Sequence, residues 1–125
     1  MRRGRPVTVI RGMMNKRSLT ALAREHLGRA REASSGRSAE TVHGGHERQL
    51  RQTLIALRAG ARLADHENPG DATLHVLSGR VRLVAGKDSW DGAPGDLLII
   101  PDATHSLDAE EDSAVLLTVV KNLHA

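Results

Sequence analysis

Residues 66–79 read HENPGDATLHVLSG, and residues 95–105 read GDLLIIPDATH. Each stretch joins a histidine and a glycine to a short aliphatic run, TLHVL in the first and DLLII in the second. Runs of this length bounded by Gly, Pro, Asn and Asp read as strands ended by turns. Working outward with the same criterion gives strand-like runs at 51–57, 61–66, 73–79, 80–86, 96–101, 104–109 and 113–120. The segments AG, NPGD, GKD, DGAPGD and AEED punctuate them. Several short strands at near-regular spacing predict an antiparallel sandwich or barrel. RVRLVA (80–85) alternates charged and apolar side chains, as a strand with one wet face does. LLII (97–100) is apolar at both parities and is expected at the centre of a sheet or beneath a second layer.

Composition narrows the chemistry. A chain of 125 residues is long enough for one domain with its own core. With no cysteine, disulfides and thiolate metal sites are both excluded. No apolar run reaches the length of a membrane span, and the charged N-terminus lacks the apolar stretch of a secretory signal. A cytoplasmic location and no membrane partner are therefore the default expectations. Trp90 is the sole aromatic residue, so the core must be built from Leu, Ile, Val and Ala. Bases would find almost no stacking platform, which makes nucleic acid an unfavoured partner. Without G-x-S-x-G, a P-loop or G-x-G-x-x-G, the usual nucleophilic hydrolases and nucleotide-binding folds find no support.

Charge divides the chain. Residues 1–37 hold ten Lys and Arg against two Glu, a net +8, while residues 38–125 hold eight basic and thirteen acidic side chains, a net −5. Residues 1–17 read as a basic leader without apolar periodicity, expected to be disordered. Residues 18–36 read as a helix: Ser18 is a candidate N-cap, Leu19, Leu22, Leu27 and Ala30 approximate one apolar stripe, and Gly36 supplies the stop. His26 lies near that stripe and is expected to be packed rather than to act as a ligand. Residues 40–125 form the expected barrel.

The glycine and histidine spacings resemble those of the cupin superfamily, small jelly-roll β-barrels of the RmlC-like type. The first cupin motif runs glycine, five residues, His-x-His, three or four residues, Glu, six residues, glycine. Here Gly60, His66 and Gly79 match it, while Asn68 stands where the second histidine would be and Ala72 where the glutamate would be. The second motif is matched by Gly95, Pro101 and His105, with proline and histidine one residue closer than usual. The resemblance covers about residues 45–120. It implies a mainly β protein: an antiparallel double-sheet jelly roll with one N-terminal α-helix.

In cupins the motif residues hold a transition metal in a mixed N/O site, and an open metal position does the chemistry. On this chain the resemblance leaves His66 and His105 as metal ligands, an incomplete set. Asp71 neighbours the missing glutamate, but a shift of one residue along a strand turns a side chain to the opposite face. By the same parity His75 faces outward, and His43 and His46 read as part of a glycine-rich lead-in. The expected pocket at the barrel mouth is lined by His66, Asn68, His105 and Gln52. Any divalent ion there, Zn, Ni, Fe or Mn, would be weakly held.

Three functions compete on these grounds. The eroded ligand set favours a barrel that binds or senses a small molecule. A metal-dependent enzyme of the dioxygenase, isomerase or decarboxylase class is the alternative. The third is a dimeric interaction protein using its basic arm. A homodimer is the expected assembly, since exposed jelly-roll edges need covering and dimers are the commonest oligomers.

Overall fold

A computed structural model describes residues 16–66 and 70–121, with Asp65 and His66 described by their backbone alone. The basic leader, apart from Lys16 and Arg17, and Asn68 lie outside the described residues. The first element of the described residues is helix α1 (Leu19–Glu32). Nine strands follow: β1 (Arg37–His43), β2 (Leu50–Leu57), β3 (Arg62–His66), β4 (Gly70–Ser78), β5 (Val81–Ala85), β6 (Asp88–Gly92), β7 (Leu97–Ile99), β8 (His105–Ala109) and β9 (Ser113–Lys121). They form two antiparallel sheets, ordered β1-β2-β9-β4-β7 and β3-β8-β5-β6. Among the described residues no hydrogen-bonded ladder joins the two sheets, so the jelly roll is a double sheet rather than a closed barrel. None of the described helices is long and apolar enough to cross a membrane.

The core follows from pleat parity. In β4, Ala72, Leu74 and Val76 point between the sheets and are buried, while Asp71 is exposed. In β9, Val115 and Val119 do the same, and across the gap lie Val81, Leu83, Leu107 and Ala109. The opposite face of the five-stranded sheet carries Leu54, Ala114 and Leu77, which pack with Ala23, Leu22 and Leu27 of α1. The apolar stripe of the helix thus buries the outside of the sheet, which a helix too short to stand alone requires.

Polar contacts hold α1 in place at both ends. The Ser18 hydroxyl accepts from Ala21 N–H at 3.2 Å, closing the first turn. His26, 2% exposed, is clamped from both sides by β1: its Nδ1 lies 2.6 Å from Ser38 Oγ, and its Nε2 donates to Glu40 Oε1 at 2.8 Å. Arg17 grips the second oxygen of Glu40. These partners hold the Glu40 carboxyl below its ordinary value, the His26 bond contributing most and Arg17 next. At the other end, the Arg58 guanidinium donates to the carbonyls of Arg31 and Ala33, satisfying acceptors that a helix terminus leaves open. Asp112 accepts from Arg31 Nε and Ala59 N–H, which together depress its pKa.

The structure differs from the sequence expectations at three places. β1 and β6 were not expected. RSAETVH and DSWDG are mostly polar, and each belongs to an outer strand with only one neighbour to pair with. The helix stops at Glu32, ahead of the predicted limit at 36. LLII does not lie at the centre of a sheet: β7 is the edge strand, with Leu97 57% and Ile99 69% exposed. Its apolar character on both faces reflects two side chains, Leu98 and Ile100, packing inward against the second layer, and two, Leu97 and Ile99, that this chain alone leaves uncovered.

Candidate functional site

β3 and β8 bring the two motif histidines together along the backbone. Leu63 pairs with Leu107 and His66 with His105, so three steps on β3 match two on β8. This is a β-bulge, a device that re-aims residues and recurs next to functional sites. It falls at the end of β8 that runs away from the packed core. The order Ala109, Leu107, His105 marks successive inward-facing positions leading to the open end, or mouth.

His105 is 3% exposed, and its Nδ1 donates to the Ala103 carbonyl at 2.9 Å. A carbonyl oxygen can only accept, so Nδ1 carries the proton of this bond. The imidazole is therefore oriented by its own loop, as a ligand or proton acceptor needs to be. Beneath it lies an internal cavity of ≈ 20 Å³, bounded by Ile55, Leu63, Leu74, Leu83, Leu107 and His105. That is room for about one water, so the interior below the mouth is filled by aliphatic side chains.

The other positions of the expected site are distributed as follows. Ala72 points inward and is 5% exposed, so the wall opposite His105 presents a methyl group where a cupin carboxylate would stand. Asp71 is exposed on the outer face, and no bulge in β4 brings it in: Gly70 to Val76 pair continuously with Lys121 to Val115. His75 also lies on the outer face, beside Leu97 and Leu116. Among the described residues no three His, Asp or Glu side chains gather as a metal site. One described imidazole falls short of the three protein ligands of a catalytic metal centre.

Gln52 requires a correction. It shares the outer face of β2 with Leu54, and its amide donates to Thr118 Oγ1 at 3.1 Å. With His43, Val42, Leu50, Leu116 and Arg17 it lines an open groove of ≈ 390 Å³ at the foot of α1, on the other side of the sheet from His105. The positions of β2 that face the mouth are Arg51 and Thr53, opposite Val119 and Leu117. RQTLIAL hides this because Leu54, Ile55, Ala56 and Leu57 are all buried, the even positions by the helix and the odd ones by the second sheet. Alternation, the usual guide to parity, is lost when both faces are covered.

No family model matches the chain, and no curated protein matches it. Solved structures match it by fold. A conserved protein of unknown function from Streptococcus pyogenes aligns over 72% of this chain and 78% of its own, at 27% identity and a TM-score of 0.65. An RmlC-like cupin from Desulfovibrio desulfuricans aligns over 67% and 81%, at 25% identity and a TM-score of 0.60. A cupin superfamily protein from Desulfitobacterium hafniense aligns over 69% and 78%, at 16% identity and a TM-score of 0.64. The fold is that of the cupin superfamily.

Proposed function

We propose that this cupin is a small-molecule-binding or sensing barrel whose metal site has degenerated, with the ligand seated at the mouth beside His66 and His105. The observation that carries this reading is the inward-facing Ala72, together with Asp71 turned to solvent: among the described residues neither position supplies the carboxylate that would complete a mixed N/O site. Among the described residues, β8 and the inward positions of β2 bring an oriented imidazole, a hydroxyl and a guanidinium to this end of the sheets. A few placed polar groups over an apolar floor is the composition of a ligand site. The small internal cavity limits a ligand to the mouth itself.

A divalent ion could be held through His66 and His105 with most of its coordination left to water, and so weakly. Titration of Zn into the purified chain and into His105→Ala tests this. The reading predicts binding weaker than micromolar in the wild type and weaker still in the variant. Stoichiometric sub-micromolar binding that His105→Ala abolishes would favour the metal-dependent enzyme instead.

The expected homodimer has a place to form. Leu97 and Ile99 on edge strand β7, and Val120 and Leu50 beside the groove, expose apolar surface on one face of the five-stranded sheet. Such a patch at a sheet edge is otherwise a liability in a monomer. Light scattering of Leu97→Asp against the wild type checks the proposal: the variant should be monomeric if a second copy covers this face.

A further inference from the structure

The inward face of β2 carries a positive charge that the other described residues do not use. Among the described residues two arginines are half-buried, Arg51 and Arg58. Arg58 caps the end of α1 with two hydrogen bonds. Arg51 has neither a hydrogen bond nor an ion pair among the described residues. Arg24, Arg37 and Arg80 also lack such bonds, but they are exposed, where water solvates them without cost. A guanidinium on a partly buried face meets less water, and its five donors need partners there.

The position of Arg51 is set by register. It stands opposite Val119, which is 6% exposed in the core, and Val119 in turn pairs with Ala72. Arg51 is thus the last inward-facing residue of β2, above Thr53, Ile55 and Leu57. His105 closes β8 at the same end, and Ile55 and His105 border the same cavity. The nearest ammonium on this face is Lys121, already donating to the Gly45 carbonyl at 2.7 Å. Among the described residues Arg51 therefore offers a guanidinium without a partner on the half-buried inward face of β2.

We propose that Arg51 selects the ligand of this site: a small organic acid with one carboxylate, which takes the guanidinium as a two-pronged partner while its apolar part lies over Val119 and Ala72. A guanidinium fork matches a carboxylate in plane and spacing, which an ammonium does not. A phosphate group fits less well, because the described residues of the mouth supply one guanidinium without a partner over an apolar floor, whereas a dianion calls for several donors. Thr53, one inward position below, can donate its hydroxyl to the same carboxylate. This assignment rests on the mouth being the binding site.

Butyrate and its neutral counterpart butyramide separate the two claims. Each is titrated into the wild type, Arg51→Gln and Arg51→Lys, with backbone amide shifts and calorimetry as readouts. Butyrate should shift Arg51, Thr53 and His105 and bind about tenfold or more tightly than butyramide, as a charge-assisted pair adds. Arg51→Gln should erase that advantage, and Arg51→Lys should keep part of it. If both compounds perturb the mouth equally, the binding site stands and the selection of an acid is overturned. If neither perturbs it, both readings fall. Should Arg51→Gln fail to fold, the comparison of the two compounds on the wild type still decides.

Discussion

Replacing Gly79 by alanine tests how tightly the β4–β5 turn is built into the fold. Gly79 has φ +81°, a conformation that costs an L-residue roughly 1–2 kcal/mol. A Cβ placed there would also lie 2.2 Å from Ser113 Oγ and 2.3 Å from the Asp112 carbonyl oxygen. Neither neighbour can easily withdraw. Ser113 is fully buried, and its hydroxyl donates to the carbonyls of Glu111 and Arg80 at 2.7 and 3.1 Å. The Asp112 oxygen belongs to the backbone. Such overpacking adds about 1–3 kcal/mol, so Gly79→Ala should cost roughly 2–5 kcal/mol in all. Gly60→Ala is the control: φ is +87°, yet nothing lies within 4 Å of the added carbon. Both variants gain the same benefit from a stiffer unfolded chain, so that benefit cancels in the comparison. Thermal and urea unfolding followed by Trp90 fluorescence should place Gly79→Ala about 5 °C or more below Gly60→Ala. Equal midpoints would refute the close approach of the turn to Ser113.

Further outcomes concern packing and pH. Leu74→Ala, on the buried face of a central strand, should cost about 2–5 kcal/mol, whereas Leu98→Ala on edge strand β7 should cost less than about 2 kcal/mol; urea unfolding of both variants checks the order. Glu40 and Asp112 have depressed pKa values in the folded chain, so their contribution to stability is complete above the ordinary values of 4.5 and 3.8 and is lost as pH falls through the lower folded ones. A melting series from neutral pH downward should therefore decline below about pH 4.5, and Asp112→Asn should flatten part of that decline.

Much of this fold is legible in the sequence because the turn chemistry is explicit. Gly79 and Gly95, both at positive φ, end and begin strands where the residue pattern places them. Leu74 and Val76 are buried as the alternation in TLHVL requires. β1 escapes detection because two of its three half-buried positions are Ser38 and Glu40, polar residues that serve His26, and Val42 alone packs on the apolar cluster under the helix. The helical histidine and its strand partners are twelve and fourteen residues apart, and no periodicity links them. At the site, the two histidines that the glycine spacings single out, His66 and His105, stand opposite each other along the backbone. The spacings contain nothing about β2, whose residues 54–57 are apolar at both parities, so the sequence does not show that Gln52 lies on the outer face and Arg51 and Thr53 on the inner one. Parity in a strand buried on both sides is decided by what packs on it, and that is tertiary information.

The central claim is that the mouth between Arg51, Thr53, Ala72 and His105 is where this cupin binds its ligand. The most direct measurement is an amide-shift screen of the wild-type chain against a library of small polar and acidic compounds, with assigned resonances. The account predicts that hits cluster on Arg51, Thr53, Ala72, Val119 and His105, and that they fade in His105→Ala or Arg51→Gln. Hits gathering instead on Leu19, His43, Leu50 and Gln52, in the groove at the foot of the helix, would contradict it.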